Sequence, residues 1–559
     1  MRIALPFLLV MMMAGGDAGL AQDRPKLVVV LVVDQMRADY VERFDQLFDR
    51  GFRRLTEQGT SFTDAHHEHA FTATAPGHAT LVTGVFPSIH GIIGNEYWDR
   101  AAQHAVYAVE DTTVQLTGVT RGRGRSPAPL LRTTVADWLR EQSPRSKTIS
   151  VSGKDRVAVL MGGHQPTGAY WYDARTGRFV TSTYYLDRLP DWVEAFNAES
   201  TIVDYIRSGW HKILPEEAYA LSREDDFPAE DDSTRAAFPH LFTLLPPDSA
   251  AAEADTLPRP APEAYAELLR TPYLDMLTFA LARRAVEAEA LGADEAPDLL
   301  FIGASASDYI GHEYGPYSQE TQDHYERLDG MIGQFLTFLD KQVGRDAYSV
   351  VMTADHGVAM LPEEAKRRGH VAQRVSTSDF EQDLVEGLTA GIEEAEIYGT
   401  PKLSYIFPVG LAITFEDQIP QFPVTDDMLR TLRRIVADHL AKSPVIAQTL
   451  TYDELLDGSG RDKTSYELYK RSFHPDRAAD IVIEYPEYFV FPASLPTNHQ
   501  TRYGYDSHVP LIVVQPGRHA NTVTRRVRSI DVAPTLATLL GIRPPTDLSG
   551  QTLKEIESR

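Results

Sequence analysis

The 559-residue sequence contains no cysteine. Disulfides, thiolate nucleophiles, cysteine zinc sites and iron–sulfur clusters are thereby excluded, and any metal must be held by histidine and carboxylate. No apolar run approaches the ~20 residues that span a bilayer. The greasy stretch 3–14 follows Arg2 and leads into small residues ending Gly19-Leu20-Ala21, the order of a secretory signal, with cleavage expected after Ala21. The mature chain is therefore expected to be periplasmic or secreted, from a bacterium, without a membrane span; export of a disulfide-free chain agrees with that. Positive charge is also scarce. Lys and Arg number 54 against 79 Asp and Glu, a formal charge of −25, which argues against nucleic acid or an anionic membrane as partner and requires any anionic substrate to find a local positive site. Glycine and proline, 37 and 35, show no period, and 43% hydrophobic with 24% charged residues is the composition of a large folded protein.

After the signal, 26–33 reads KLVVVLVV, too uniformly apolar to be half exposed and so expected as a buried parallel strand. Runs of the same kind occupy 299–304, 348–353 and 509–514. Helical patterns occupy 40–58, 133–141, 265–291 and 320–342. The alternation predicts an α/β fold, a doubly wound, mostly parallel sheet with helices on both faces. Polar groups at the carboxyl ends of such strands line the functional crevice, and Asp34, Asp308 and Asp355 lie at or just after such ends. The segments 121–130, rich in Gly, Pro and Arg, and 222–262, acidic and Pro/Ala-rich, read as exposed connections. The stretch 363–500 interrupts the alternation and is expected to be an α+β cap inserted into a core made of 22–362 and 501–559.

Five local clusters place nucleophilic or metal-compatible residues beside turn signals. They are Asp34-Gln35; Thr72-Ala-Thr74-Ala-Pro-Gly-His78, where a Pro-Gly turn opens a helix toward an anion; Asp308-Tyr-Ile-Gly-His312, with i, i+4 spacing that puts carboxylate and imidazole on one side of a helix; Asp355-His356-Gly357; and Asp506-Ser-His508. Taken singly, each reads as a cap, a turn or an ordinary histidine. Together, Asp34, Asp308, Asp355, His312, His356, His508 and Thr74 supply enough oxygen and nitrogen donors for two zinc-like ions.

The chain resembles the alkaline phosphatase superfamily, and within it the periplasmic monomeric phosphatases with a threonine nucleophile. The resemblance rests on VVDQMR at Asp34, TATAPGH at Thr74, GNEYW at Asn95, GKDR at Lys154 and Arg156, DYIGH at Asp308, TADHG at Asp355, YDSHVP at His508 and the tail IDVAPTLATLLGI. It implies one Zn2+ on Asp308, His312 and His508, and a second on Asp34, Asp355 and His356 with the Thr74 oxygen. It also implies phosphate-monoester hydrolysis to alcohol and inorganic phosphate through a phosphothreonine, with Asn95, Lys154 and Arg156 on the nonbridging phosphate oxygens. Small-molecule phosphate monoesters are then the expected partners, and the chain is expected to be a monomer. Lys154 and Arg156, two apart, would project to one face of an extended segment. His66, His67 and His69 are expected in supporting or exposed roles, His78 beneath the nucleophile turn, and Tyr97 and Trp98 as walls of a leaving-group pocket or as packing. The competing expectations are a phosphodiesterase or nucleotide pyrophosphatase on the same core, and a non-catalytic periplasmic metal- or phosphate-binding protein. A sulfatase is disfavoured because Thr74-Ala-Pro-Gly-His departs from the Cys or Ser-x-Pro-x-Arg pattern.

Overall fold

The computed structural model describes residues 24–230, 237–246, 257–417 and 421–556; the expected signal peptide, 1–21, lies outside the described residues. The central strands are β1 (Leu27–Val33), β2 (Thr60–His66), β3 (Thr148–Ser152), β4 (Gly168–Asp173), β5 (Arg178–Ser182), β6 (Asp298–Ala304) and β7 (Tyr348–Thr353). A second set comprises β8 (Thr400–Ile406), β9 (Gly410–Glu416), β10 (Gln448–Thr451) and β11 (Ile481–Glu484), and the chain returns to the first sheet with β12 (His508–Val514). Among the described residues the main sheet has eleven strands, and its central order is β2-β12-β7-β1-β6-β3-β4-β5. The middle of it, β7-β1-β6-β3-β4, is parallel throughout.

Every residue of β1 is buried, because the side chains leave alternately to two covered faces. Leu27, Val29, Leu31 and Val33 pack with Tyr40, Phe44, Leu277 and Tyr325. Val28, Val30 and Val32 pack with Leu81, Val135, Val157 and Leu536 on the opposite side. Burying each such side chain contributes about 1.5–3 kcal/mol. A strand sandwiched in this way has no room for an alternating polar face, which is why its sequence is a continuous apolar run.

Three expectations need correction. The run 509–514 is a strand, but β12 is antiparallel to both neighbours, β7 and β2; apolarity reports burial on both faces and carries no information on direction. The helical pattern at 40–58 divides into Asp39–Arg43 and Gly51–Gln58, because the carboxylate of Asp329 accepts the backbone N–H groups of Asp49, Arg50 and Phe52 and restarts the helix. The pattern at 265–291 yields its long helix only from Tyr273–Ala288, directly after Pro272. Between β7 and β12 lies a separate antiparallel sheet, β8-β9-β11-β10, covered by the helices Glu381–Glu394 and Asp426–Leu440 around a core of its own. Tyr97 and Trp98 are buried against Ile406 and Val409 of that region, a packing role.

Candidate active site and metal centre

Four polar groups follow the carboxyl ends of adjacent parallel strands: Asp355 after β7, Asp34 after β1, Asp308 in the helix after β6, and Lys154 after β3. With strands about 4.8 Å apart, neighbouring strand ends deliver their side chains to one place. Lys154 Nζ lies 2.7 Å from Asp34 Oδ2 and 2.5 Å from Asp308 Oδ2. Gln35, at φ 65°, donates its backbone N–H to Asp355 Oδ1 (3.1 Å) and its side-chain amide to Asp308 Oδ1 (2.9 Å). A non-glycine residue held at positive φ is a strained conformation of the kind that clusters at functional sites.

Two carboxylate–histidine groups result. In one, ligand-type atoms of Asp34, Asp308 and His356 lie within 4.8 Å of one another, all three residues being buried. In the other, Asp308, His312 and His499 meet the same limit, with the Nε2 atoms of His312 and His499 at 3.3 and 3.5 Å from Asp308 Oδ1. Asp355 joins the first group, its Oδ2 lying 3.2 Å from His356 Nε2. The three imidazoles share one device: Nδ1 faces a backbone carbonyl, that of Gly357 for His356, Thr497 for His312 and Thr72 for His499. A carbonyl only accepts, so Nδ1 carries the proton and the Nε2 lone pair faces the carboxylates.

The fit to metal ions is visible in what has no partner. Asp34 Oδ1, Asp355 Oδ2 and His356 Nε2 are buried and accept no hydrogen bond among the described residues; they converge, with His356 Nε2 at 3.5 Å from Asp34 Oδ1 and 3.2 Å from Asp355 Oδ2, as donor atoms of the kind a divalent cation takes. Electrostatics agree. Burial, then the neighbouring Asp355, pushes the Asp34 carboxyl well above the carboxylate range despite Lys154. Burial also opposes ionisation of Asp308, but Lys154 and His312 outweigh it and hold that carboxyl well down. Burial lowers His356 and His499, keeping both imidazoles neutral and able to ligate.

Thr74 opens the helix α1 (Thr74–Thr83) and is buried. Its Oγ1 lies 3.3 Å from Arg156 Nη2. The α1 helix packs tightly enough on the β7 end that a Cβ on Gly77 would fall 2.3 Å from the Asp355 carbonyl oxygen, so the Pro-Gly turn of the motif sets the distance between nucleophile and carboxylate. His78 sits beneath, its Nδ1 2.8 Å from the Thr74 carbonyl and 3.2 Å from Asp355 Oδ2. Asn95 accepts the backbone N–H of Ala75 at 2.8 Å, which turns its amide NH2 away from that helix end. Lys154 precedes the helix α2 (Asp155–Gly162), so the extended geometry expected for Lys154 and Arg156 ends at Lys154. Arg156, in the first turn, spans Thr74 and the Tyr107 hydroxyl, while its buried Nε has no partner among the described residues.

The structure separates His508 from this assembly. In β12 it is in register with His66 of β2, on which its ring stacks at 4.5 Å, and its Nε2 faces the Thr63 carbonyl at 2.9 Å. The β12 strand stands three strands from β6, roughly 14 Å at one strand spacing each, so an imidazole at its start cannot share an ion with Asp308. The position expected for His508 is taken by His499, in the loop that follows the second sheet. The available sequence signal was Thr-Asn-His at 497–499. Thr497 fixes this loop by bonding Ala359 and by accepting from His312. Asp506 is a buried structural carboxylate that accepts from the backbone and hydroxyl of Thr501. Among the other histidines, His67 is buried against the Ala354 carbonyl, and His69 is fully buried.

The model of the type I phosphodiesterase / nucleotide pyrophosphatase family matches residues 28–501. Alkaline phosphatase PafA of Elizabethkingia meningoseptica is 33% identical over 99% of this chain and 98% of its own length. Alkaline phosphatase PhoV of Synechococcus elongatus is 32% identical over 95% of this chain and 93% of its own. The crystal structure of wild-type PafA matches the fold with a TM-score of 0.83 at 31% identity, covering 96% of this chain and 99% of that one. Strand order, the site at the parallel strand ends and these full-length matches lead to one assignment: the chain belongs to the type I phosphodiesterase / nucleotide pyrophosphatase family, within the alkaline phosphatase superfamily.

Proposed function

We propose that the chain is a secreted or periplasmic, monomeric alkaline phosphatase that hydrolyses phosphate monoesters with two zinc ions and a phosphothreonine intermediate. One zinc is assigned to Asp34, Asp355 and His356 beside Thr74, the other to Asp308, His312 and His499. The observation that carries this reading is the position of Thr74 Oγ1 on Arg156, next to two carboxylate–histidine groups, of which that of Asp34, Asp355 and His356 has buried donor atoms making no hydrogen bond among the described residues. Zinc, when bound, lowers the pKa of an attached hydroxyl or water and stabilises the entering and leaving oxygens of an in-line displacement.

The chain's own residues do the rest. Thr74, fixed at a helix start, presents Oγ1 to phosphorus. Its bond to phosphorus forms as the bond to the alcohol oxygen breaks, the electron pair leaves with that oxygen, and the threonine proton is given up to solvent while the alcohol gains one. Water then attacks the phosphothreonine, releasing inorganic phosphate and restoring the hydroxyl. Arg156 spans two oxygens of the phosphoryl group with its fork, Lys154 supplies an ammonium between the two groups, and Asn95 donates through its amide. A monoester dianion has one more charged oxygen for these cations than a diester, which favours the monoester reading over the diesterase activity in the family's description. The unit within 363–500 acts in this reading as a cap, with His499 as its contribution to the site.

Hydrolysis of nitrophenyl phosphate is expected to exceed that of bis-nitrophenyl phosphate, to be lost on chelation and to return with zinc. Lys154→Ala with Arg156→Ala is expected to lower monoester turnover far more than diester turnover, and Thr74→Ala to yield no trappable phosphoenzyme. A diester preference, or a phosphoenzyme in the threonine variant, would refute the respective assignments, and a zinc-loaded chain without turnover would point to a binding protein.

A further inference from the structure

The phosphatase reading leaves unused an arginine-rich segment of an acidic chain, 121–130 (RGRGRSPAPL). It does not simply pass over the surface. It forms part of the wall of an open cavity of about 700 Å3, which Lys154, Arg156 and Tyr309 also line. Arg156 reaches Thr74 at one end and Tyr107, another lining residue, at the other. Tyr309 is adjacent to Asp308 in the helix α3 (Ala306–Tyr314). Lys154 Nζ lies 4.9 Å from the Tyr309 ring centre and 2.5 Å from Asp308 Oδ2, so the cavity borders the reacting centre at Lys154 and Arg156, on the Asp308 side.

Three further arginines line it: Arg123, Arg125 and Arg175. Each has a carboxylate partner, Glu110, Asp155 and Asp173 respectively, yet each keeps donors to spare. Arg175 uses Nε on Asp173, and among the described residues no hydrogen bond is made by its Nη1 or Nη2. Arg123 uses only Nη1 on Glu110. Arg125 commits Nε to Asp155 and Nη1 to two backbone carbonyls of its own loop, leaving Nη2. The backbone is shaped to hold them there. Gly122, at φ +135°, lies so close to Arg175 that a Cβ would meet its Nη2 at 2.6 Å, and a Cβ on Gly124 would strike the Val114 carbonyl oxygen at 2.1 Å. The alternation Gly-Arg-Gly-Arg is thus a requirement of this packing: the glycines let the loop lie flat and the arginines supply the charge.

We propose that this cavity is a subsite for a second anionic group, phosphoryl or carboxylate, carried on the alcohol half of the substrate, so that the preferred substrates are phosphate monoesters with a second negative charge. This rests on the phosphatase reading and deepens it. A net charge of −25 repels such a molecule at long range, and locally exposed guanidinium donors are the means by which a site reverses that field.

The test compares 1,4-phenylene bisphosphate with nitrophenyl phosphate, and 4-carboxyphenyl phosphate as the carboxylate arm, using zinc-loaded wild type, Arg175→Ala and Arg123→Ala. Loss of a charged hydrogen bond is expected to lower kcat/KM for the doubly anionic esters roughly tenfold per arginine, to leave nitrophenyl phosphate within twofold, and to be partly rescued in Arg175→Lys. A loss confined to the bisphosphate would assign the subsite to phosphoryl groups, and a loss shared by both anionic esters to anions in general. Equal effects on all three substrates, or none on any, would overturn the subsite. Absence of nitrophenyl phosphate turnover in zinc-loaded wild type would instead overturn the phosphatase reading, and the subsite with it.

Discussion

Two regions of the molecule hold the same kinds of residue at the same spacing. Asp308, His312 and His499 form one; Asp64, His66 and His508 form the other. In the first, every imidazole is turned by a carbonyl at Nδ1 so that Nε2 faces the carboxylate, Asp308 is buried, and the adjoining Asp34 and Asp355 have oxygens with no partner. In the second, all three residues are partly exposed, Asp64 is spent on His66 at 2.7 Å, and His508 satisfies itself on Thr63. Ligand chemistry and spacing are thus shared; what separates the two is the burial of Asp308 and His499 and, beside them, the oxygens of Asp34 and Asp355 that make no hydrogen bond among the described residues. The first arrangement is suited to a cation, whereas the second is a pair of stacked rings on a β-ladder.

The comparison can be broken most directly at its two distal histidines. His499→Ala is expected to lower kcat/KM for nitrophenyl phosphate by roughly 10^3-fold, since several kcal/mol of transition-state stabilisation depend on the leaving-side ion, and to reduce bound zinc by one equivalent. His508→Ala should leave both within twofold. Metal analysis and steady-state kinetics on the two variants decide, and the reverse pattern would restore His508 as the ligand.

A smaller effect is expected from Gly77→Ala. The added methyl must displace α1 from the Asp355 backbone, costing about 1–3 kcal/mol as overpacking does and lowering turnover by moving Thr74. Thermal melts and kinetics together would show it, and an unchanged kcat would mean that Thr74 is not positioned through this contact.

Acid should act through the buried histidines. Burial lowers His67 to about 4, and His90 and His324 to about 3, from the usual 6.5. Below pH 6.5 the unfolded chain takes up protons that the folded one refuses, so stability is whole above 6.5 and is lost as pH falls toward those values. Each such histidine costs about 1.4 kcal/mol per pH unit in that window. Melting temperatures should therefore be flat from pH 8 to 7 and fall steeply from 6 to 4.5, and His90→Gln is expected to flatten the slope. The smallest effect belongs to Asp64→Ala, within about 0.5 kcal/mol, measured by denaturant unfolding.

Much of this was legible in the sequence because it is local. The β1 strand is a strand because seven consecutive apolar residues need two covered faces, and Asp34 follows because a parallel strand must end at the crevice. Asp308 and His312 share a helical turn by spacing, and the Pro-Gly of the nucleophile turn starts a helix. The error at His508 and the omission of His499 have one cause. A histidine before an apolar strand looks like a ligand in one dimension, but its ring follows the strand's register, and register with β2 turned it onto His66. His499 lies in an irregular loop whose position is set by contacts such as Thr497 with His312, 185 residues apart, and no periodicity announces such a loop. The arginines of 121–130 likewise read as a solvated connection until the fold laid them beside Arg156.

The sequence alone determined which residues are apolar in a strand's rhythm, which turns start helices, and that only histidine and carboxylate were on hand to hold a metal. Those follow from side-chain chemistry and from periods of two and 3.6 residues, which neighbours in the chain impose. The tertiary structure alone decided the direction of β12, the exchange of His508 for His499, and the tautomer of each imidazole. These depend on strand order and on which carbonyl faces which ring, and both are properties of packing between segments far apart in the chain.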